Sequence, residues 1–354
     1  MGIVVRFINR AKFFKKKISK KFKITSNKLD SISSSVFLVE IYYLIINKSF
    51  RREKQSVLQG IVSFQKKANG DIYNQSLLTR NIHRIEKGLI MKNAKNIFAL
   101  DYIEETIKEY KKIKGHTNET VYFKWYTDVL EKYFSVVDVN HPIIHKLYTE
   151  FKENKLEFNT DSSSIKSIPR RKQNLSSIGF DEFYELNMQR RSVRWFEDVK
   201  VPRELIDKAL LVARQAPSAC NRQPFLYNII DDPNLLKEVV KLPPGINGFT
   251  DNIKSLVVLI GNLDSYFSER DRHLIYIDAS LSAMSFILAL ETLGLSSVCI
   301  NWPDIEELDI EMNKLLKLST HQRVIMCIAV GYYDNSGLVP FSEKKSLNEL
   351  RKYN

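Results

Sequence analysis

The sequence predicts an α+β protein in which a helical N-terminal part precedes a domain of mixed strands and helices. Apolar residues recur at helical spacing between residues 75 and 151, whereas short strand-like runs alternate with helical patterns after residue 175. The 354 residues, 44% of them hydrophobic and 27% charged, are enough for one large or two modest cores. This composition excludes a collagen-like chain and a wholly disordered one.

The formal charge of +13 is concentrated in residues 1–55, which form a basic amphipathic N-terminal segment. This segment contains 14 Lys and Arg residues and three acidic residues, whereas the other 299 residues contain 40 and 38. Proteins that bind nucleic acid usually spread their basic residues over a folded face. Nucleic acid is therefore not an expected partner of the body of this chain.

Residues 1–28 have the pattern of a helix that lies on a membrane surface. Plotted at ~100° per residue, the apolar residues fall on one stripe and the cations cover the rest of the circumference. The stripe consists of Ile3, Val4, Phe7, Ala11, Phe14, Ile18 and Phe22. Apolar burial and attraction to anionic lipid act together in such a helix, which favours a peripheral membrane anchor. A partly disordered basic tail, a helix docked on the protein's own acidic surface and a single-stranded nucleic-acid site are the alternatives.

Two features predict a cytoplasmic protein. The apolar run at 36–46 is interrupted by Glu40 and is too short to cross a bilayer, and no secretory signal fits the sequence before it. The three cysteines, Cys220, Cys299 and Cys327, are an odd number without the spacing of a disulfide framework or a zinc site. We expect a reducing compartment, with the anchor holding the protein at the inner face of the membrane.

Residues 56–153 are predicted to form a helical extension, with three or four helices between Gln75 and about Phe151. Apolar residues recur at helical spacing in LLTRNIHRIEKGLIM, FALDYIEETIKEY and VYFKWYTDVLEKYF, and Gly88, Gly115 and Pro142 separate these segments. Residues 154–175 have the polar composition of a linker, with few apolar residues. A second domain is predicted over residues 176–354.

The pattern over 176–354 is that of strands alternating with helices. A helix begins behind Pro202 and ends before Pro217. Strands are predicted at 226–230, 256–260, 297–300 and 324–330, and further helices at 274–293 and 305–316. The first of these two helices is apolar or small on every face, in ASLSAMSFILAL, so it must be buried all round. It is either a central helix or one that a second subunit covers, and we favour a homodimer.

Two polar motifs in this domain are candidate binding elements. QRRSVRWF brings together three arginines and a serine, and guanidinium groups bind phosphate through paired hydrogen bonds. APSACNRQPF, at 216–225, offers short polar side chains on a constrained loop after a helix. Such groups can hydrogen-bond the edge of a planar heterocycle.

With these motifs, the C-terminal half resembles the nitroreductase family of FMN-dependent α+β flavoproteins. The resemblance covers roughly residues 180–350 and rests on five motifs in the family's order. They are RRSVRWF at 190–196, APSACNRQPF at 216–225, IDASLSAMSFILALETLGLSS at 277–297, VCINW at 298–302 and IAVGYYD at 328–334. The resemblance implies a nitroreductase-like flavin domain with a central mixed sheet and helices on both faces, and a homodimer with two FMN sites at its interface. The extension before it has no counterpart in the minimal family domain.

The resemblance also assigns residues to the flavin. The positions that hold its phosphate, ribityl chain and pyrimidine ring are matched by Arg190, Arg191, Ser192 and Arg194. A loop that reaches the same flavin from the other subunit is matched by Pro217, Ser218, Ala219 and Asn221. The loop that lies on the flavin is matched by Cys299, Ile300, Asn301 and Trp302, with a backbone N–H near Asn301 or Trp302 directed at N5. Lys344 is the match for an arginine on the phosphate, with Glu343 beside it.

The implied function is that of an FMN-dependent oxidoreductase that NADH or NADPH reduces and an unidentified second substrate oxidises. Since the flavin supplies the hydride chemistry, no catalytic acid or nucleophile is required. By analogy with family members that carry long helical extensions, a link to cell-surface polysaccharide metabolism is conceivable. The alternative is a membrane-surface interaction protein that uses the flavin fold as a scaffold without turnover.

Three other features are assigned structural roles. His141 and His145 are four residues apart, but Pro142 lies between them and no third ligand follows, so no metal site is predicted. Cys220 is interpreted as a small packing residue. RNIHRIEKGL, at 80–89, is dense in charge and could face the flavin domain or a substrate, although a salt-bridged helix face is the simpler interpretation.

Overall fold

A computed structural model describes residues 26–92, 95–114, 121–158, 167–170 and 176–354. The chain divides into two compact units, Met1–Lys54 and Gln55–Asn354. Residues 1–25, which hold most of the predicted membrane anchor, lie outside the described residues.

In the first unit, two short helices leave much of their apolar surface open. Helix α1 spans Ser26–Ser33, and α2, Val36–Ile41, continues into a π-helical turn at Tyr42–Ile46. The Asn47 N–H donates to the Tyr42 carbonyl at 2.8 Å and closes this turn. The side chains of Val36, Phe37 and Leu44 are 82%, 72% and 74% exposed. The apolar run at 36–46 is thus helical, and Tyr42 within it is buried while the three side chains named above stay exposed.

The second unit begins with helices, and the described residues of 75–151 form four, where three or four were predicted. They are α4 at Gln75–Leu89, α5 at Ile103–Lys111, α6 at Val121–Phe134 and α7 at Pro142–Asn154, and α3 precedes them at Arg51–Asn69. The Asn74 side chain accepts the Leu77 N–H at 3.1 Å, which caps α4, and Pro142 occupies the first turn of α7. Their apolar faces share a core that contains Ile82, Ile107 and Tyr126.

Helix α3 packs against the C-terminal domain and not into the core of the extension. Val57 is buried in the same cluster as Leu263, and a Cβ on Gly60 would lie 2.8 Å from the backbone of Leu263. Asp264 accepts from Lys67 Nζ at 2.5 Å and from Ser63 Oγ at 3.3 Å. The first helix of the predicted extension over 56–153 thus contributes to the neighbouring core, and the domain boundaries themselves stay a prediction. Contacts keep residues 55–354 together as one unit.

The four predicted strands form one sheet in the order β1-β2-β4-β3. They are β1 at Phe225–Ile230, β2 at Ser255–Asn262, β3 at Ser296–Asn301 and β4 at Gln322–Gly331. All three pairings are antiparallel, with a register shift in the β2–β4 pair between Leu259 and Ile260. A parallel pairing occurs at the isolated bridge between Ser192 and Ser297. The α+β class is confirmed, and the mixed character expected of the sheet is confined, within the described chain, to that bridge.

Helices cover both faces of the sheet, because β2 alternates its side chains between two cores. Val257 and Leu259 face α9, Arg203–Ala213, and α11, Leu274–Thr292. Val258 and Ile260 face the opposite core. That core includes α10, Pro233–Val239, and α12, Glu306–Leu316. Two more helices precede and follow these elements, α8 at Phe180–Gln189 and α13 at Leu347–Leu350. Neither contains a buried residue.

Helix α11 is not buried on every side within one chain. Ala279, Ala283 and Phe286 lie in the core, but Ile277, Leu281 and Met284 are 52%, 45% and 42% exposed. The exposed residues recur at helical spacing and so form one apolar face. By length and composition the stretch Glu269–Thr292 could cross a membrane, but half of its most apolar window is buried in the fold. A core helix passes the same test.

Candidate flavin site

The arginine motif lies in extended conformation beside β3. The Val193 N–H donates to the Ser297 carbonyl at 3.1 Å, and the buried side chains of Val193 and Phe196 anchor the segment in the core. Asn252 holds the same segment: its Nδ2 donates to the Arg194 carbonyl at 2.5 Å, and its Oδ1 accepts the Phe196 N–H at 3.1 Å. The motif folds this way because Val193 and Phe196 enter the core, while its arginines and Ser192 stay half-buried at the surface.

The guanidinium groups of this segment are not neutralised. Arg191 and Arg194 donate only to main-chain carbonyls of residues 190 and 192, each at 3.2 Å. No carboxylate of the described chain lies within 4 Å of these groups or of Arg190. Burial raises the pKa of Glu291, and the charge of Arg190 offsets part of that effect. Three unpaired cations on one rigid segment leave an excess of positive charge that suits an anion.

The loop after α9 is held in an uncommon backbone conformation. Cys220, Asn221 and Gln223 have φ values of 54°, 55° and 49°, in the left-handed region. The Gln223 N–H donates to Ser218 Oγ at 3.1 Å, and the Ala219 N–H donates to Asp278 Oδ2 at 3.0 Å. Burial raises the pKa of Asp278, and the hydrogen bond from Ala219 opposes that rise. Pro217 is exposed, and Ser218, Ala219 and Asn221 are half-buried.

No hydrogen bond or ion pair joins residues 190–194 to residues 217–221 among the described residues. The resemblance implies that a second copy of the chain brings one of these segments to a flavin that both contact. That arrangement remains a prediction.

Two further predicted positions have different surroundings. The Trp302 side chain is 7% exposed and lies in the core, where its Nε1 donates to Asp309 Oδ1 at 2.8 Å. Only its main chain is left for the flavin, whereas Asn301 beside it is exposed. Lys344 lies in the exposed C-terminal segment, and its own N–H donates to Glu343 Oε1 at 2.8 Å. The described contacts do not bring Lys344 to the arginines.

Sequence reasoning missed the residues that fix the motifs in place. These residues are Asn252 and Asp278. Neither could be connected with its motif from the local sequence, because each forms its hydrogen bond across more than 50 residues. The extension also reaches the site: α4 contacts the turn at Ala219–Asn221, and Gln223 Nε2 donates to Tyr122 Oη at 3.3 Å. The charge density of RNIHRIEKGL was the one available signal for this contact.

The residues present fit an FMN phosphate by the chemistry of their donor set. Three guanidinium groups without carboxylate partners match an anion of nearly two negative charges. Ser192 and the main chain of residues 301 and 302 add uncharged hydrogen-bonding groups on β3 and beside it.

Comparison with known proteins finds relatives of the part of the chain that contains these motifs. The model of the nitroreductase family matches residues 188–243 and 241–332. Iodotyrosine deiodinase 1 from Pongo abelii is 23% identical over 197 residues, which cover 48% of this chain and 67% of that protein. Iodotyrosine deiodinase from Thermotoga neapolitana is 28% identical over 169 residues, covering 43% and 89%.

A solved structure is similar over the same part of the chain. It is the FMN-dependent nitroreductase from Clostridium difficile R20291, at 24% identity and a TM-score of 0.42, covering 48% of this chain and 98% of that one. The family match itself covers residues 188–332 of this chain, and helices α3 to α7 lie outside it.

Proposed function

We propose that this chain is an FMN-dependent oxidoreductase that takes electrons from NADH or NADPH and passes them to a second substrate. The observation that carries the proposal is the set of unneutralised arginines at 190–194, held beside β3 within the region of the family match. FMN would supply the hydride and electron transfer, and the protein would bind and orient it.

The roles of the chain's own residues follow from their positions. Arg190, Arg191 and Arg194 would hold the phosphate, and Asn252 keeps their backbone in place. The loop anchored on Asp278 would present Ser218 and Asn221 to the flavin of a partner subunit. The main chain at Asn301 and Trp302 would donate near N5.

The second substrate is the open part of this function. Two of the relatives are iodotyrosine deiodinases, so reductive removal of a halogen stands beside nitro-group reduction as a candidate reaction. The link to cell-surface polysaccharide metabolism remains a prediction from analogy, without a supporting observation in the structure.

A homodimer would complete the site. The apolar face of Ile277, Leu281 and Met284 lies open in one chain, and α8 beside it exposes 76% of Phe180. Large apolar patches of this kind mark interaction surfaces. Leu281→Lys combined with Met284→Lys should convert a dimer to a monomer in sedimentation analysis and release FMN. A wild-type protein that is monomeric with bound flavin would refute this proposal.

The experiment that tests the function begins with the colour of the purified protein. Chromatography of the small molecule released by denaturation distinguishes FMN from FAD and from no flavin. Anaerobic addition of NADH and NADPH, followed by the loss of flavin absorbance, then identifies the donor. A colourless protein that does not bind added FMN would refute the proposal.

A membrane-surface role is the second candidate, and the first unit supports it. The exposed apolar side chains of α2 and the following turn sit next to the basic residues Lys48, Arg51 and Lys54. Apolar insertion and attraction to anionic lipid would act together there, as proposed for residues 1–28. Co-sedimentation with anionic vesicles should be lost in Phe37→Asp combined with Leu44→Asp and weakened by salt. A cytoplasmic location, at the inner face of the membrane, is part of this proposal.

A further inference from the structure

Three arginines lie close together where α4 contacts the turn at Ala219–Asn221, two from the extension and one from the loop after α9. Arg80 and Arg84 stand one helical turn apart on α4, and Arg222 follows the turn directly. Burial lowers the pKa of Arg80, and the charges of Arg84 and Arg222 lower it further. The three guanidinium groups are therefore near neighbours.

Aromatic rings fix the position of each group. Arg80 lies 4.9 Å above the centre of the Phe267 ring, and Arg222 lies 4.9 Å from that of Tyr266. Arg84 lies 3.6 Å from the centre of the Tyr102 ring. Because guanidinium groups stack well on aromatic faces, these contacts hold the cations without neutralising them.

The carboxylates nearby leave two of the three arginines without an ion pair. Arg84 pairs with Asp101 at 3.1 Å, but the Asp101 side chain is 74% exposed. Neither Arg80 nor Arg222 has a carboxylate within 4 Å in the described part of the chain. The Nε of Arg222 is buried and donates no hydrogen bond there. Asp278 and Glu105 also act on the cluster through their charge, but from beyond ion-pair distance; Asp278 accepts the Ala219 N–H and Glu105 accepts from Asn81.

Such a cluster is costly for the folded chain unless an anion joins it. Like charges held together in a half-buried place repel one another, and a buried donor without a partner adds a desolvation cost. A carboxylate or a phosphate would accept from several of these N–H groups at once. The cluster lies at the loop that carries Ala219 and Asn221, on the side covered by α4.

We propose that Arg80, Arg84 and Arg222 bind an anionic group, a carboxylate or a phosphate, of the second substrate. This inference rests on the proposed oxidoreductase function and names the substrate class of the same site. The flavin phosphate is assigned to Arg190, Arg191 and Arg194, so this second cluster is free for the substrate. The extension would thus supply two of the three arginines of this site, Arg80 and Arg84, and the family-matched region would supply Arg222.

Paired nitroaromatic acceptors test the proposal by turnover. The probes are 4-nitrobenzoate, 4-nitrophenyl phosphate and the neutral 4-nitrobenzyl alcohol. We expect kcat/KM to be higher for an anionic probe than for the alcohol, and the preferred anion identifies carboxylate or phosphate as the source. In Arg80→Gln and in Arg84→Gln this preference should fall about tenfold or more, the scale of one charged hydrogen bond. Lys87→Gln, on the exposed face of the same helix, is the matched control and should keep the wild-type preference.

Direct binding provides a readout that does not depend on turnover. Calorimetric titration of 4-nitrobenzoate and of inorganic phosphate into the purified full-length protein should show binding that Arg80→Gln weakens and Arg80→Lys partly restores. Equal losses of kcat/KM on charged and neutral probes, or loss of FMN from Arg80→Gln, would overturn the proposal. If the protein holds no flavin, the oxidoreductase function fails, and the titration alone decides whether the anion site exists.

Discussion

Replacing Asp264 by Asn should detach the extension from the flavin domain at one defined point. The carboxylate is 8% exposed and accepts from Lys67 Nζ on α3 at 2.5 Å. On the other side it pairs with His321 Nε2 at 3.2 Å. Burial alone would raise the pKa of Asp264, but the hydrogen bonds from His321 and Lys67 outweigh it and lower the pKa to about 2.

The magnitude follows from that pKa. A fall from the ordinary value of 3.8 to about 2 corresponds to about 2 kcal/mol of folding free energy at pH 7. Because the folded-state pKa is depressed, this contribution is present above pH ~4 and is lost as the pH falls through ~2. Asp264→Asn should therefore reduce the free energy of unfolding by about 2 kcal/mol at pH 7, and the difference from wild type should shrink to about half near pH 3.

The assay is urea unfolding followed by circular dichroism at a series of pH values. Glu238→Gln is the matched control, because Glu238 pairs with Lys241 at 2.5 Å while both side chains are half exposed. An exposed pair of this kind should contribute no more than about 0.5 kcal/mol. Equal effects of the two substitutions, or an effect of Asp264→Asn that does not change between pH 7 and pH 3, would refute the reasoning.

The other predictions concern the flavin site. Arg190→Ala combined with Arg194→Ala should weaken FMN binding at least about 100-fold in fluorescence titration, since charged hydrogen bonds contribute about 1.5–3 kcal/mol each. Arg203→Ala is the control and should leave FMN binding unchanged, because the Arg203 guanidinium lies outside the motif and pairs with Asp231 at 2.7 Å. Asn252→Ala should weaken FMN binding less, because it removes the two hydrogen bonds that position the arginine segment and none of its charge. Trp302→Phe should lower stability by about 1–2 kcal/mol, through loss of the buried hydrogen bond to Asp309, and leave the bound FMN in place; release of FMN by this variant would show that the Trp302 side chain reaches the flavin.

The positions of helices and strands could be predicted from the sequence better than which elements pack against each other. All four strands and the helices at α9, α11 and α12 were predicted, because runs of β-branched residues and helical spacing are local signals. The docking of α3 was not predicted. Periodicity shows that Val57 has to be buried, but it does not show that Leu263, more than 200 residues later, covers it.

At the candidate site, too, contacts between residues far apart in the sequence could not be predicted. The arginine motif and the 216–225 loop could be identified from their residue types, whereas the direction of the Trp302 side chain depends on Asp309 within the next helix. Helix α11 was predicted to be apolar all round, but only the fold decides that Ala283 is core and Leu281 is surface. The role of Lys344 remains a prediction, because in the described chain it forms no hydrogen bond or ion pair with a residue of the arginine motif.

The close approach of α3 to Leu263 determines how this protein can be shortened. The region matched by the family begins at residue 188, and a chain cut back to it would look like a complete flavin domain. Such a chain would lack Val57 and Ile61, which cover the core around Leu263, and Lys67, which pairs with Asp264. An apolar patch and a buried carboxylate without its lysine would then face water. Helix α3 is therefore a structural part of the C-terminal domain, and the shortest stable form should begin before it.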